Sequence, residues 1–84
     1  MDVSAVKIGV VGAGSWGTAL ADLLALKGFK VDLWVFEKEV KEQIEEYREN
    51  KVFLPGFQLS ANISPSNNIS EVVSKKDLIL IVVP

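Results

Sequence analysis

The chain has 84 residues, a formal net charge of −2, and neither cysteine nor histidine. Its length allows one small domain, and the missing residue types exclude a disulfide framework and the usual zinc ligands, so we expect no metal site. The slight acidity offers no basic surface for nucleic acid. The sequence contains neither a signal peptide nor an apolar run of about 20 residues, so we expect a cytoplasmic protein without a membrane span.

The first half of the chain alternates between apolar runs and helical patterns. Val6 to Val11 is almost continuously apolar, which is typical of a strand buried on both faces. Small and apolar residues recur at helical spacing from Ser15 to Lys27, and Gly28 stands where a helix C-cap glycine belongs. Val31 to Val35 is the second predicted strand. Glu37 to Asn50 is predicted to form an amphipathic helix.

The second half continues the same alternation. A loop follows the second predicted helix, and we expect one short strand in it, near Asn62 to Ser64. Asn68, with Glu71 three residues later, predicts the start of a short helix over Ile69 to Lys76. Asp77 to Pro84 is the most apolar predicted strand. Because strands and helices alternate, we predict an α/β fold, a Rossmann-type parallel sheet with flanking helices.

The last predicted strand is apolar, and no helix follows it in the sequence. Parallel sheets are normally covered on both faces. We therefore expect residues 1–84 to be the N-terminal part of a longer protein. A short natural chain is the alternative.

A glycine-rich turn joins the first predicted strand to the first predicted helix. Gly12 would supply the sharp turn, Gly14 the close approach of a pyrophosphate, and Gly17 the close packing of helix on sheet. The anion would then bind at the N-terminus of the helix, where Ser15 adds a hydroxyl. Glycine-rich turns also occur for structural reasons, but a strand before and a helix after favour nucleotide binding. The predicted cofactor-binding residues of this turn are Gly12, Ala13, Gly14, Ser15, Trp16 and Gly17.

The end of the second predicted strand lacks the acid that usually binds the ribose. Val35 occupies that position and cannot accept a hydrogen bond. Glu37 could reach the ribose, although we favour a solvated residue that starts the next helix. Phe36 could lie against the adenine ring, and the alternative is a core residue beneath the following helix.

Several stretches together resemble the NAD-dependent glycerol-3-phosphate dehydrogenases. They are "GAGSWGTALA", "LWVFEKE", "REN-x-x-FLPG" and "LILIVVP". The combination of Trp16 with Arg48–Asn50 and Phe53–Gly56 is more specific than the glycines alone. The resemblance implies that the parent protein interconverts dihydroxyacetone phosphate and sn-glycerol 3-phosphate with NAD, with NADP less favoured, and that it is a homodimer.

The same resemblance implies roles for individual residues. It places the glycine turn on the pyrophosphate, Phe36 beside the adenosine and Phe53 close to the cofactor. It further implies that residues 1–84 are the N-terminal part of a dinucleotide-binding domain and that the helical substrate and catalytic domain is absent from this chain. The family's catalytic lysines and aspartate lie outside this chain, so we expect no catalytic residue here. Two alternatives remain open: another dehydrogenase of the β-hydroxyacid type, such as a ketopantoate reductase or a sugar-nucleotide dehydrogenase, and a non-catalytic dinucleotide-sensing module.

Overall fold

The computed structural model describes residues 2–83. A 3-10 turn at Val3–Ala5 precedes four strands and three helices. These are β1 (Lys7–Val11), α1 (Ser15–Leu26), β2 (Lys30–Trp34), α2 (Lys38–Tyr47), β3 (Ile63–Ser66), α3 (Ile69–Val73) and β4 (Leu78–Ile81). All neighbouring strands are parallel, in the order β3-β2-β1-β4. This order matches the first four strands of the doubly wound arrangement, and it confirms the predicted Rossmann-type sheet.

The centre of the sheet is buried on both faces, as its continuous apolar sequence predicts. Ile8 and Val10 of β1 and Leu33 of β2 belong to a core that also contains apolar residues of α1 and α2. On the opposite face, Gly9 lets the backbone of α3 approach so closely that a Cβ atom would overlap the carbonyl group of Val72. Helices therefore cover β1 on both sides, which fixes the position of its carboxyl end.

The edge strand β4 differs from this centre. Its apolar side chains are largely exposed, with 71% of the Ile81 surface accessible. Strand β3 forms the other edge and runs two residues beyond the predicted end at Ser64. Pro65 is accommodated within it because an edge strand does not need every N–H for pairing.

No helix within residues 2–83 has the length and apolar character needed to cross a membrane.

Helix α1 ends close to its predicted boundary. Gly28 follows the C-cap residue Lys27 with a φ of +101°, a left-handed conformation that favours glycine. The N–H groups of Gly28 and Phe29 donate to the carbonyl oxygens of Ala25 and Leu24, at 3.0 and 3.3 Å. These two bonds form a Schellman motif, so the predicted C-cap glycine is confirmed one residue beyond the cap itself.

Helices α2 and α3 each end three residues before their predicted boundaries. Arg48 stops α2 because it adopts a left-handed φ of 54°. In α3, Lys75 also has a φ of 54°, and the ammonium group of Lys76 donates to the carbonyl oxygens of Glu71 and Ser74. Both stops depend on contacts that helical periodicity does not encode.

Candidate functional site

A cleft opens at the carboxyl edge of the sheet, beside the turn between β1 and α1. Its volume is about 410 Å³. The carboxyl ends of parallel strands are where open α/β sheets bind their ligands. The lining residues are Gly12, Gly14, Ser15, Trp16, Gly17, Phe53, Val82 and Val83. Six of them are predicted cofactor-binding residues, and none of the described lining residues carries a charge.

The three glycines of the turn have different surroundings. Gly12 has a φ of +117°, so it makes the sharp turn in a conformation that other residues rarely adopt. A Cβ atom on Gly17 would overlap the carbonyl group of Gly12, so Gly17 is needed for the close packing of α1 on the turn. A Cβ atom on Gly14, in contrast, would meet no heavy atom within 4 Å. Gly14 alone of the three faces open space, on the cleft side of the turn.

The first turn of α1 presents backbone donors to the cleft. The N–H groups of Ser15, Trp16 and Gly17 find no acceptor within residues 2–83, whereas the N–H of Thr18 donates to the carbonyl oxygen of Gly14. Free N–H groups and the positive end of the helix dipole together favour an anion at this position. The hydroxyl of Ser15 donates elsewhere, to the carbonyl oxygen of Phe53 at 2.5 Å. Ser15 therefore offers its backbone N–H to a ligand, and its hydroxyl hydrogen is already engaged.

A buried asparagine links the turn to the opposite wall of the cleft. Asn50 is fully buried, and its Nδ2 donates to the carbonyl oxygen of Ala13 at 3.0 Å and to Oγ1 of Thr18 at 2.9 Å. Its Oδ1 accepts from the N–H of Phe53 at 3.1 Å. Ala13, 7% exposed, thus lies beneath the turn with its carbonyl group tied inward.

Arg48 and Glu49, the two residues before Asn50, hydrogen-bond to backbone groups of the segment between α2 and β3. The guanidinium group of Arg48 donates to the carbonyl oxygens of Ser60 and Ile63, the latter at 2.7 Å. The carboxylate of Glu49 accepts from the N–H of Gly56 at 2.9 Å. Arg48, Glu49 and Asn50 therefore make structural contacts, and the sequence signal for them is their place ahead of "FLPG" in a stretch that resembles the family.

The three aromatic candidates occupy different places. Trp16 is 82% exposed on the rim of the cleft, and Phe53 is partly buried in its wall. Phe36 is 76% exposed and contacts Trp34 edge to face, with ring centroids 6.1 Å apart. The alternative of a core residue beneath α2 is thus wrong for Phe36. Because Trp34 pairs with Val11, Phe36 lies at the same edge of the sheet as the glycine turn but outside the cleft lining.

Comparison with known proteins agrees with this geometry. The family model described as the N-terminus of NAD-dependent glycerol-3-phosphate dehydrogenase matches residues 7–84. The chain belongs to this family. The glycerol-3-phosphate dehydrogenase, NAD(P)+, of Syntrophobacter fumaroxidans is 56% identical over 77 residues, which are 92% of this chain and 23% of that protein.

Solved structures of the family superpose on the whole sheet. Glycerol-3-phosphate dehydrogenase from Saccharomyces cerevisiae gives a TM-score of 0.87 at 32% identity, over 94% of this chain and 26% of that one. The enzyme from Coxiella burnetii gives 0.85 at 37% identity, over 94% and 24%. The chain therefore spans about a quarter of the length of the relatives it matches.

Proposed function

We propose that this chain is the cofactor-binding segment of an oxidoreductase that interconverts sn-glycerol 3-phosphate and dihydroxyacetone phosphate with NAD(H). The observation that carries the proposal is the unobstructed face of Gly14 beside the free N–H groups of α1, in a chain that belongs to the glycerol-3-phosphate dehydrogenase family. The length of the relatives supports a second, substrate-binding part outside residues 1–84.

The residues of the cleft fit a dinucleotide. The N–H groups of Ser15, Trp16 and Gly17 would hold the pyrophosphate, and the absence of a side chain at Gly14 leaves room for it. Phe53 would form the wall of the cleft opposite the glycine turn, and Phe36 would lie beside the adenosine. The bound nicotinamide supplies hydride transfer. In this proposal the cleft residues contribute binding and orientation, and proton transfer is left to the part of the parent protein outside this chain.

Measured turnover tests the proposed reaction. The full-length protein should oxidise NADH in the presence of dihydroxyacetone phosphate, and the isolated chain should bind NADH weakly without turning over. Loss of NADH absorbance measures turnover, and calorimetric titration measures NADH binding. A full-length protein that binds NADH but reduces no dihydroxyacetone phosphate would contradict the reaction, and turnover by the isolated chain would contradict the absence of catalytic residues.

We further propose NAD rather than NADP as the preferred cofactor. NADP carries an additional phosphate on the adenosine ribose, and enzymes that prefer it usually place an arginine there. Phe36 offers no charge to that phosphate, and Glu37 beside it would repel a dianion. The relatives are named for both cofactors, so their names do not favour either one, and the proposal rests on Phe36 and Glu37.

The kcat/KM ratio for the two cofactors checks this choice in the full-length protein. The natural sequence should favour NADH by about tenfold, which corresponds to about 1.4 kcal/mol, and Phe36→Arg should narrow or reverse the ratio. Lys38→Gln is the control, because an exposed lysine that begins α2 is the competing source of positive charge. A preference for NADPH that Lys38→Gln removes would overturn the assignment to Phe36.

Three predictions about the whole protein stay predictions. They are assembly as a homodimer, a cytoplasmic location and the absence of a nucleic-acid partner. Sedimentation of the full-length protein would measure its assembly, and fractionation of cells would locate it. Neither outcome changes the assignment of the cleft.

A further inference from the structure

The side-chain amide of Asn50 has no contact with water, and its bonds go to both walls of the cleft. Two hydrogens of Nδ2 are donated to Ala13 and Thr18 on the side of the glycine turn. Oδ1 accepts from Phe53 on the opposite side. A buried amide with paired donors and acceptor fixes the relative position of its partners, because any displacement leaves a polar group unsatisfied.

The peptide groups of Phe53 are fixed from two directions. Asn50 holds the N–H of Phe53 at 3.1 Å, and the hydroxyl of Ser15 holds its carbonyl oxygen at 2.5 Å. Ser15 is itself the first residue of α1. Both anchors therefore connect the wall that carries the Phe53 ring to the elements that present the anion-binding N–H groups.

We propose that Asn50 is a positioning residue that sets the separation between Phe53 and the glycine turn, and thereby the affinity for the dinucleotide. This inference rests on the proposed function of the cleft. Asn50 does not line the cleft, so it acts through Phe53 and through the turn. The contribution of Asn50 to folding is measured by the melting temperature, and its contribution to binding is measured by the NADH affinity.

The test compares Asn50→Ala with Asn62→Ala in the full-length protein. The Nδ2 of Asn62 donates to the carbonyl oxygen of Ala25 at 3.2 Å, so it also ties the loop to α1, but at the end far from the cleft. Both variants should lower the melting temperature. Only Asn50→Ala should weaken NADH binding, measured by calorimetry, by about tenfold, the scale on which residues that orient a binding group act. Equal affinities in the two variants would overturn the proposal.

A double-mutant cycle separates positioning from a general loosening of the fold. Phe53→Ala removes the ring that Asn50 is proposed to position. In that background Asn50→Ala should lower the NADH affinity by less than about threefold, so the effects of the two substitutions should be non-additive. Full additivity would overturn the proposal. Should Asn50→Ala fail to fold, Ser15→Ala keeps the test available, because Ser15 is exposed and its hydroxyl holds the carbonyl oxygen of the same residue, Phe53. Ser15→Ala should also lower the NADH affinity less in the Phe53→Ala background than in the natural sequence.

The variant Gly14→Val distinguishes a failure of this inference from a failure of the proposed function. If Gly14→Val keeps its NADH affinity, the cleft is not the dinucleotide site, and both proposals fall. If Gly14→Val loses binding while Asn50→Ala matches Asn62→Ala, the site stands and the positioning role is wrong.

Discussion

The strands of this parallel sheet have a hollow at each end, one at their carboxyl ends (the carboxyl edge) and one at their amino ends (the amino edge). The two hollows are similar in size but differ in their lining residues. At the carboxyl edge, the cleft of about 410 Å³ is lined by glycines, apolar side chains and one serine. At the amino edge, a hollow of about 360 Å³ is lined by four lysines, Asp32 and Ser74. Counting charges would place a phosphate at the amino edge. We propose that the dinucleotide binds at the carboxyl edge instead, beside the glycine turn.

One difference between the two places is that Lys76, at the amino edge, is already engaged. The Lys76 side chain is only 8% exposed, and its ammonium group lies 2.9 Å from a carboxylate oxygen of Asp32 and 3.0 Å from the carbonyl oxygens of Glu71 and Ser74. Those carbonyl groups belong to the end of α3, where the helix dipole is negative. At the carboxyl edge, the N–H groups of α1 have no partner within residues 2–83, and the dipole is positive. We therefore favour the carboxyl edge for the anion, because its backbone donors are free and fixed whereas the Lys76 ammonium group is already engaged.

The largest expected effect comes from Gly17→Ala, which tests how tightly the carboxyl edge is packed. The added Cβ would overlap the carbonyl group of Gly12, and backbone atoms in a packed turn cannot move away without strain. We expect the free energy of unfolding to fall by about 3 kcal/mol or more, measured by urea denaturation of the full-length protein. Gly14→Ala is the matched control and should cost less than about 1 kcal/mol, because its Cβ meets nothing within 4 Å. Equal losses would contradict the different roles given to the two glycines.

Gly14→Val should have the second-largest effect, on binding instead of folding. Gly14 has a φ of −71°, which any residue adopts, and its surroundings are open, so the fold should survive. The valine side chain would occupy the space that the pyrophosphate needs. We expect NADH affinity to fall at least about 100-fold, or about 2.7 kcal/mol, in calorimetric titration. A folded variant with unchanged affinity would show that the phosphate binds elsewhere.

The carboxyl edge was largely predictable from sequence because its signals are local. Apolar runs, helical spacing and the order of the glycines depend on neighbouring residues, so the sheet class and the turn follow directly from them. The helix ends were less predictable. Arg48 stops α2 while its guanidinium group reaches Ser60 and Ile63, and Lys76 folds back against Asp32 in β2. These contacts join residues that are distant in sequence, and no periodic pattern contains them.

The candidate site shows the same limit at the level of single side chains. The position of Gly14 in the motif was enough to predict its open side. The buried bonds of Asn50 were not predictable, because the sequence placed it at the end of a charged helix. The exposure of Phe36 was also undetermined, since an aromatic residue after a strand suits a core as well as a surface. The sequence alone does not tell which side chains reach from one loop to bind another.

Lys76→Met should have the smallest effect and tests the amino edge directly. Methionine keeps the apolar stem but removes the ammonium group, so Asp32 and two carbonyl oxygens of α3 lose their partner. Asp32 is 37% exposed and water can replace part of the loss, so we expect about 1 kcal/mol of destabilisation in urea denaturation. NADH affinity should stay within about twofold, since the hollow lies across the sheet from the turn and a structural change there has no direct contact with the cofactor. Lys75→Met, at an exposed neighbouring position that also lines the hollow, serves as the control and should alter neither quantity. If Lys76→Met instead weakens NADH binding as strongly as Gly14→Val does, the anion is held by the lysines, and free backbone donors do not decide between the two edges.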